Sequence, residues 1–247
     1  MTVDVVNTSS TANIKRVAVV TGASSGIGAA TARALAADYW HVIVAARRMD
    51  KLEAIANEIG GEAIELDVTD GESVAAFAGK IKDCHLLVNN AGGAKGLDPI
   101  ASANLEDWQW MYDTNVLGTI RVTNALLETL IRCQGHIINM SSVAGFATYP
   151  GGGGYNAAKF GETAASKVMR AEFAEKGLRV TEINPGRVKT DFSLVRFKGD
   201  QEKADAVYAD KLNLEPEDIA ESIRWTASLP DHMNVDRIVI TPRDQVI

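Results

Sequence analysis

Thr21-Gly22-Ala23-Ser24-Ser25-Gly26-Ile27-Gly28 joins a short apolar run, Arg16 to Thr21, to the helix-forming series Ala29-Ala30-Thr31-Ala32-Arg33-Ala34-Leu35. A strand that ends in glycines and turns directly into a helix gathers backbone N–H groups and the positive end of the helix dipole at one point. That arrangement receives a pyrophosphate. Gly22 then permits the tight turn, Gly26 the close approach of phosphates and Gly28 the close packing of helix on sheet, while Ser24 and Ser25 add hydroxyl donors. A strand–helix junction that binds nothing also needs glycine, so the motif alone leaves a purely structural turn open. A nucleotide-triphosphate loop is a poor match, because it requires Lys-Ser/Thr after the last glycine and Ala29-Ala30 follow Gly28.

The next apolar run refines the ligand. A dinucleotide site normally ends this strand with a carboxylate for the ribose hydroxyls, whereas a 2′-phosphate asks for cations. Here the strand ends Ala45-Ala46-Arg47-Arg48. Paired guanidinium donors suit phosphate oxygens, so NADP(H) is expected over NAD(H).

Further along, short apolar runs alternate with segments of helical period: Arg16 to Thr21, His41 to Ala45, Glu62 to Leu66, His85 to Asn89, Gly135 to Met140, Arg179 to Asn184 and Arg237 to Ile240. Short, mainly apolar strands separated by helices predict a parallel sheet covered on both faces, an α/β doubly wound Rossmann-type fold with seven strands. Helix ends are punctuated. Met49 to Ile59 stops at Gly60-Gly61, Tyr155 to Lys176 stops at Gly177, and Pro216 with Glu217 and Asp218 opens a helix that runs to about Leu229. Residues 1–13 read as a frayed tail and 14–247 as one domain, with Val188 to Asn213 as an irregular substrate loop.

Composition narrows the function. In 247 residues, 25 Lys and Arg stand against 32 Asp and Glu, a net charge of -7 that disfavours nucleic-acid backbones. Cys84 and Cys133 have no metal-ligand spacing, so no metal is expected. No apolar run is long enough for a membrane span and nothing resembles a targeting segment, so a cytoplasmic protein is expected.

Tyr155 and Lys159 are one helical turn apart, so their side chains share a face. A phenol, with an ordinary pKa of about 10, becomes a useful acid–base group near neutrality when an ammonium favours its phenolate. Ser142 follows the strand Gly135 to Met140, and ligands of doubly wound sheets bind at the carboxyl ends of strands. Its neighbour Ser141 reads as structural.

Together with Asn89-Asn90-Ala91-Gly92, Asn115 and Pro185-Gly186, these motifs resemble the short-chain dehydrogenase/reductases over nearly the whole chain after Lys15. The resemblance implies a catalytic set of Asn115, Ser142, Tyr155 and Lys159. In it Tyr155 exchanges the proton, Lys159 supports it and holds the nicotinamide ribose, Ser142 orients the substrate, and Asn115 holds a water that links Lys159 to solvent. It also implies NADP(H) contacts from Gly22, Ser24, Ser25, Gly26, Ile27, Gly28, Arg47 and Arg48; from Asp67 and Val68 around the adenine; from Asn89, Ala91 and Gly92; and from Pro185, Gly186, Val188 and Thr190 near the nicotinamide. A homotetramer with contacts around Trp108 and Tyr155 to Lys176 is implied too. Residues Ser193 to Asp200 and the ending Ile240 to Gln245 resemble the NADP-dependent 3-hydroxy acid and serine dehydrogenase branch. The ending also resembles the clavulanate dehydrogenases, which keeps a reductase of a bulkier aldehyde or ketone as an alternative; a non-catalytic NADP(H)-binding regulator is the alternative of another class. A carboxylated substrate needs a cation, and Arg187 and Arg196 lie in the right loop. Four glycines, Gly151 to Gly154, predict a pocket wall of little bulk.

Overall fold

The computed structural model describes residues 16–247. The tail expected at 1–13 lies outside the described residues. Seven strands, β1 (Val17–Thr21), β2 (His41–Ala46), β3 (Glu62–Glu65), β4 (Leu86–Asn89), β5 (His136–Met140), β6 (Arg179–Pro185) and β7 (Arg237–Ile240), form one sheet. Its order is β3-β2-β1-β4-β5-β6-β7 and every pairing is parallel. Each boundary lies within a residue of the apolar run that predicts it.

Alternation along the strands assigns the two faces. Ala18, Val20, Val42, Val44 and Ile138 pack under α1 (Gly26–Ala37), α2 (Met49–Ile59) and α9 (Pro216–Ser228). Val19, Ile43, Leu87 and Ile137 pack under α3 (Gly71–Ala78), α5 (Gly118–Arg132) and α6 (Gly153–Phe173). Residues of both sets are fully buried, so β1 and β4 lack the polar alternation of a one-sided sheet. Gly60 (φ 63°) and Gly177 (φ 79°) adopt the left-handed conformation at the helix ends where the sequence places them.

The chain order reverses between β1 and β4, and there the strand ends splay into a crevice. Around it, α4 (Leu105–Tyr112) continues through one π-helical turn, Asp113–Leu117, into α5. The segment expected to be irregular, Val188 to Asn213, instead contains two short helices, α7 (Phe192–Arg196) and α8 (Gln201–Ala206). Both escape sequence reading because five or six residues carry too little periodicity. Their stability is tertiary: Ser193 Oγ donates to Tyr208 Oη at 2.9 Å, and Gly96 N donates to Arg196 O at 2.9 Å.

The four glycines also serve a purpose different from the one expected. A Cβ on Gly153 would lie 2.8 Å from Trp108 Cζ2, and one on Gly154 2.5 Å from Met111 Cε and 2.7 Å from Trp108 Cδ1. Gly153 and Gly154 open α6 and let it lie against α4, while a Cβ on Gly151 would meet Leu97 O and one on Gly152 the Tyr149 ring. They do not widen the pocket.

Candidate active site

A cleft of about 930 Å³ runs across the carboxyl ends of the strands. At one end the glycine turn is held in shape from β4: Asn90 Nδ2 donates to Thr21 O at 2.9 Å and Gly22 O at 3.2 Å, and Thr21 Oγ1 accepts from Asn90 N and Ala91 N. Gly22 (φ 64°) lies so close to this strand that a Cβ would be 2.8 Å from Ala91 Cα. Gly22, Ser24, Ser25, Gly26 and Ile27 line the cleft. Gly28 does not. A Cβ there would meet Gly22 O at 2.6 Å, so it serves helix–sheet packing alone.

Beside the turn, Arg48 Nη2 donates to Ser24 Oγ at 2.7 Å and to Ser25 Oγ at 3.0 Å, while Arg47 lies 4.0 Å from the Asp67 carboxylate. Asp67 is held below its usual range despite the opposing cost of burial, because Thr69 donates to it from both N and Oγ1 and Arg47 is near. Two guanidinium groups, two hydroxyls and a helix N-terminus form a donor set that fits a phosphate monoester next to a pyrophosphate. Asp67, Val68, Ala91, Gly92, Pro185, Gly186, Val188 and Thr190 line the cleft where the sequence places them.

Asn89 is the exception. Its amide donates to Asn139 Oδ1 at 2.9 Å and to Thr123 Oγ1 at 3.0 Å, buried beneath the sheet ends. Its side chain is turned away from the cleft that the sequence expectation placed it in: within an Asn-Asn pair at a strand end, the strand's alternation turns one side chain into the core. The other, Asn90, lines the cleft. Asn90 adjoins the predicted residue, and only strand phase could have selected it.

The reactive end gathers Ser142, Tyr155 and Lys159. Ser142 caps the turn after β5, accepting from Ala144 N at 3.1 Å, and its hydroxyl lines the cleft. Ser141 is buried against Thr163 Oγ1 at 3.2 Å, a structural contact. Tyr155, 9% exposed, has Phe192 of α7 against its ring at 5.4 Å between centroids, in an edge arrangement. Lys159 Nζ lies 5.8 Å from that ring's centroid, donating to Met140 O at 2.8 Å and to Glu162 Oε2 at 2.6 Å. Burial pushes the ammonium's pKa down, but Glu162, Tyr155 and Glu182 outweigh it and the net direction is up.

Asn115 sits in the π-helical turn, fully buried behind the cleft. Its amide is engaged with Gly93 N (3.1 Å), Gly93 O (2.9 Å) and Met111 O (2.6 Å), which leaves main-chain atoms for the water-holding role expected of it.

The two arginines part company. Arg187 spends Nε on Asn213 Oδ1 at 3.0 Å and Nη2 on Leu212 O and the Asp244 carboxylate, tying the loop to the C-terminal segment. Arg196 lies over the rings of Tyr155 (5.1 Å) and Phe192 (5.3 Å) and donates through Nη2 to Tyr149 Oη at 2.5 Å. Its Nε is buried and has no partner among the described residues. Among the described residues no cluster of three His, Cys, Asp or Glu is placed for a metal ion. No helix among them is long and apolar enough to cross a membrane.

A model of the short chain dehydrogenase family matches residues 16–200, a span that holds the glycine turn, the Tyr155–Lys159 pair and Ser142. The chain belongs to the short-chain dehydrogenase family. This short-chain dehydrogenase is 56% identical over 232 residues to an uncharacterised oxidoreductase of Mycobacterium tuberculosis, a match covering 94% of this chain and 92% of the relative. It is 41% identical over 233 residues to the serine 3-dehydrogenase of Agrobacterium fabrum, covering 92% and 94%. Among solved structures, the closed form of a serine dehydrogenase complexed with NADP+ superposes with a TM-score of 0.91 at 36% identity, covering 94% of this chain and 96% of the other. As a family member the chain is an oxidoreductase.

Proposed function

We propose that this dehydrogenase uses NADP(H) to transfer a hydride between nicotinamide and a small 3-hydroxy acid, of which serine is one, or its carbonyl counterpart. The observation that carries the substrate class is Arg196: a guanidinium that lines the cleft over the Tyr155 ring, with no carboxylate paired to it among the described residues, is the cation that a substrate carboxylate beside the reacting hydroxyl would require. The cofactor reading rests on the Arg47, Arg48, Ser24 and Ser25 donor set and on the NADP+ held by the similar serine dehydrogenase.

Bound NADP(H) would supply the hydride chemistry, held by the glycine turn, by the Arg47–Arg48 end and by Pro185 to Thr190. The protein's own work is positioning and proton transfer. In the oxidative direction Tyr155 accepts the hydroxyl proton as the C–H bond breaks. Ser142 donates a hydrogen bond to the substrate oxygen, and Lys159 stabilises the negative charge on Tyr155 Oη. Phe192 and Arg196 roof Tyr155 and keep water from it. A homotetramer belongs to the same reading, since Tyr112, Phe160 and Val168 of α4 and α6 are exposed.

The test is NADP-linked absorbance with serine, 3-hydroxypropionate and a neutral alcohol. Arg196→Leu is expected to raise KM for the acids by about 10- to 100-fold, the value of a charge-assisted contact, and to leave the neutral alcohol nearly untouched. Arg187→Leu should not discriminate between them. Tyr155→Phe should cost about 10²- to 10⁴-fold in kcat. Equal KM changes for acids and neutral alcohol would refute the carboxylate reading and favour a bulkier carbonyl substrate. Turnover that survives Tyr155→Phe would refute the mechanism.

A further inference from the structure

Behind Lys159 lies a second buried charge. Glu162, one turn further along α6 and 2% exposed, brings Oε2 within 2.6 Å of Lys159 Nζ. Its Oε1 faces Thr119 Oγ1 of α5 at 3.4 Å, and the same hydroxyl bonds Asn115 O at 2.9 Å. From β6, Glu182, 3% exposed, adds another carboxylate, held by Thr163 Oγ1 at 3.0 Å and paired with Arg237 of β7 at 3.3 Å. From β5 the Met140 carbonyl completes the Lys159 cage. Tyr155 is the remaining titratable group that faces the ammonium. The positive charge of Lys159 therefore sits between a phenol on the cleft side and a carboxylate pair on the core side.

A carboxylate without solvent is expensive, and an apolar side chain would fill this face of α6 at less cost. Burial pushes the Glu162 carboxyl up against the pull of Lys159, with Glu182 adding to the rise. While it is ionised it cancels part of the ammonium's field; once protonated it leaves that field whole.

We propose that Glu162 is a positioning residue that fixes Lys159 Nζ beside Met140 O and, through its own charge, sets how strongly Lys159 stabilises the ionised form of Tyr155. The inference rests on the reading of Tyr155 and Lys159 as the reactive pair. Glu162→Gln preserves shape and an oxygen acceptor for Nζ but removes the charge. Two readouts follow. The acidic limb of the pH profile of kcat/KM for serine oxidation is expected to move toward lower pH by about one unit, the order of shift a neighbouring charge imposes, because loss of the carboxylate leaves more of the Lys159 charge to favour the phenolate. The ultraviolet phenolate signal of Tyr155, taken as the difference from Tyr155→Phe in each background without substrate, is expected to move the same way. A purely structural Glu162 would lower kcat and melting temperature and move neither midpoint.

If Glu162→Gln does not fold, Thr119→Val withdraws the hydroxyl dipole that faces the carboxylate and should move the same titration in the same direction by less. An unmoved or opposite phenolate titration overturns the proposal. Absence of serine turnover in the unmutated enzyme counts against the substrate reading, while the phenolate titration still decides the role of Glu162.

Discussion

Arg48 closes the turn that the glycines open, and its partners are two hydroxyls with no carboxylate among them. Such an arrangement leaves its positive charge uncompensated for an incoming phosphate. Arg48→Ala is expected to raise the dissociation constant for NADPH by about 10- to 100-fold and that for NADH by less than about 3-fold, read by fluorescence titration. Equal losses for both dinucleotides would place Arg48 in the fold and not in phosphate selection. At this scale legibility depends on whether a residue's chemistry is local. Tyr155 and Lys159 are legible because helical spacing alone puts them on one face. Glu162 shares that face, and a carboxylate one turn beyond the lysine was there to be read. Its burial was not, since Thr119, Glu182 and Met140 come from three other elements. Arg187 and Arg196 are equivalent in sequence and are separated by their tertiary partners, Arg187 being tied to Asn213, Leu212 and Asp244, the last 57 positions further along the chain, and Arg196 lying over the Tyr155 ring.

Among the elements, α6 carries Tyr155 and Lys159, and its approach to α4 depends on Gly153 and Gly154. Alanine at an exposed helical glycine would gain about 1 kcal/mol in propensity. At Gly154 the new methyl meets the rigid Trp108 indole as well as the mobile Met111 methyl. Overpacking of this kind costs about 1–3 kcal/mol and outweighs the gain. Gly154→Ala is therefore expected to lower the melting temperature by about 2–8 °C, and to lower kcat because Tyr155 is the next residue. A melting temperature at or above that of the unmutated protein would mean the indole yields. Strands and long helices were readable because their apolar periods are sustained. α7 and α8 were not, although α7 supplies Phe192 and Arg196 to the roof of the site.

Over the whole molecule, large apolar side chains are exposed at many places, Ile100 and Trp225 among them, and one group of them lies on α4 and α6. Tyr112, Phe160 and Val168 are 46%, 43% and 53% exposed, and a Cβ on Gly161 would lie 3.4 Å from Tyr112 Cε2, so α4 and α6 present these groups close together. Grouped apolar exposure of this sort is what the proposed tetramer would cover. Light scattering is expected to give about four chain masses, and Phe160→Glu to give a smaller species, because a buried unpaired carboxylate is costly at an interface. A monomer at micromolar concentration in the unmutated protein would refute the assembly.

What the amino-acid order determined by itself is what short-range periodicity encodes: seven strands, their parallel arrangement, the glycine turn with its basic neighbours, and a tyrosine and lysine on one helical face. Only the tertiary structure decided which of two adjacent asparagines faces the cleft, which of two arginines lies over the Tyr155 ring, why Gly153 and Gly154 open α6, and that Lys159 is paired with a buried carboxylate. The division has a physical cause. Periodicity and turn chemistry act over a few residues, whereas a side chain's burial, and with it the cost of its charge, is set by neighbours contributed from distant parts of the chain.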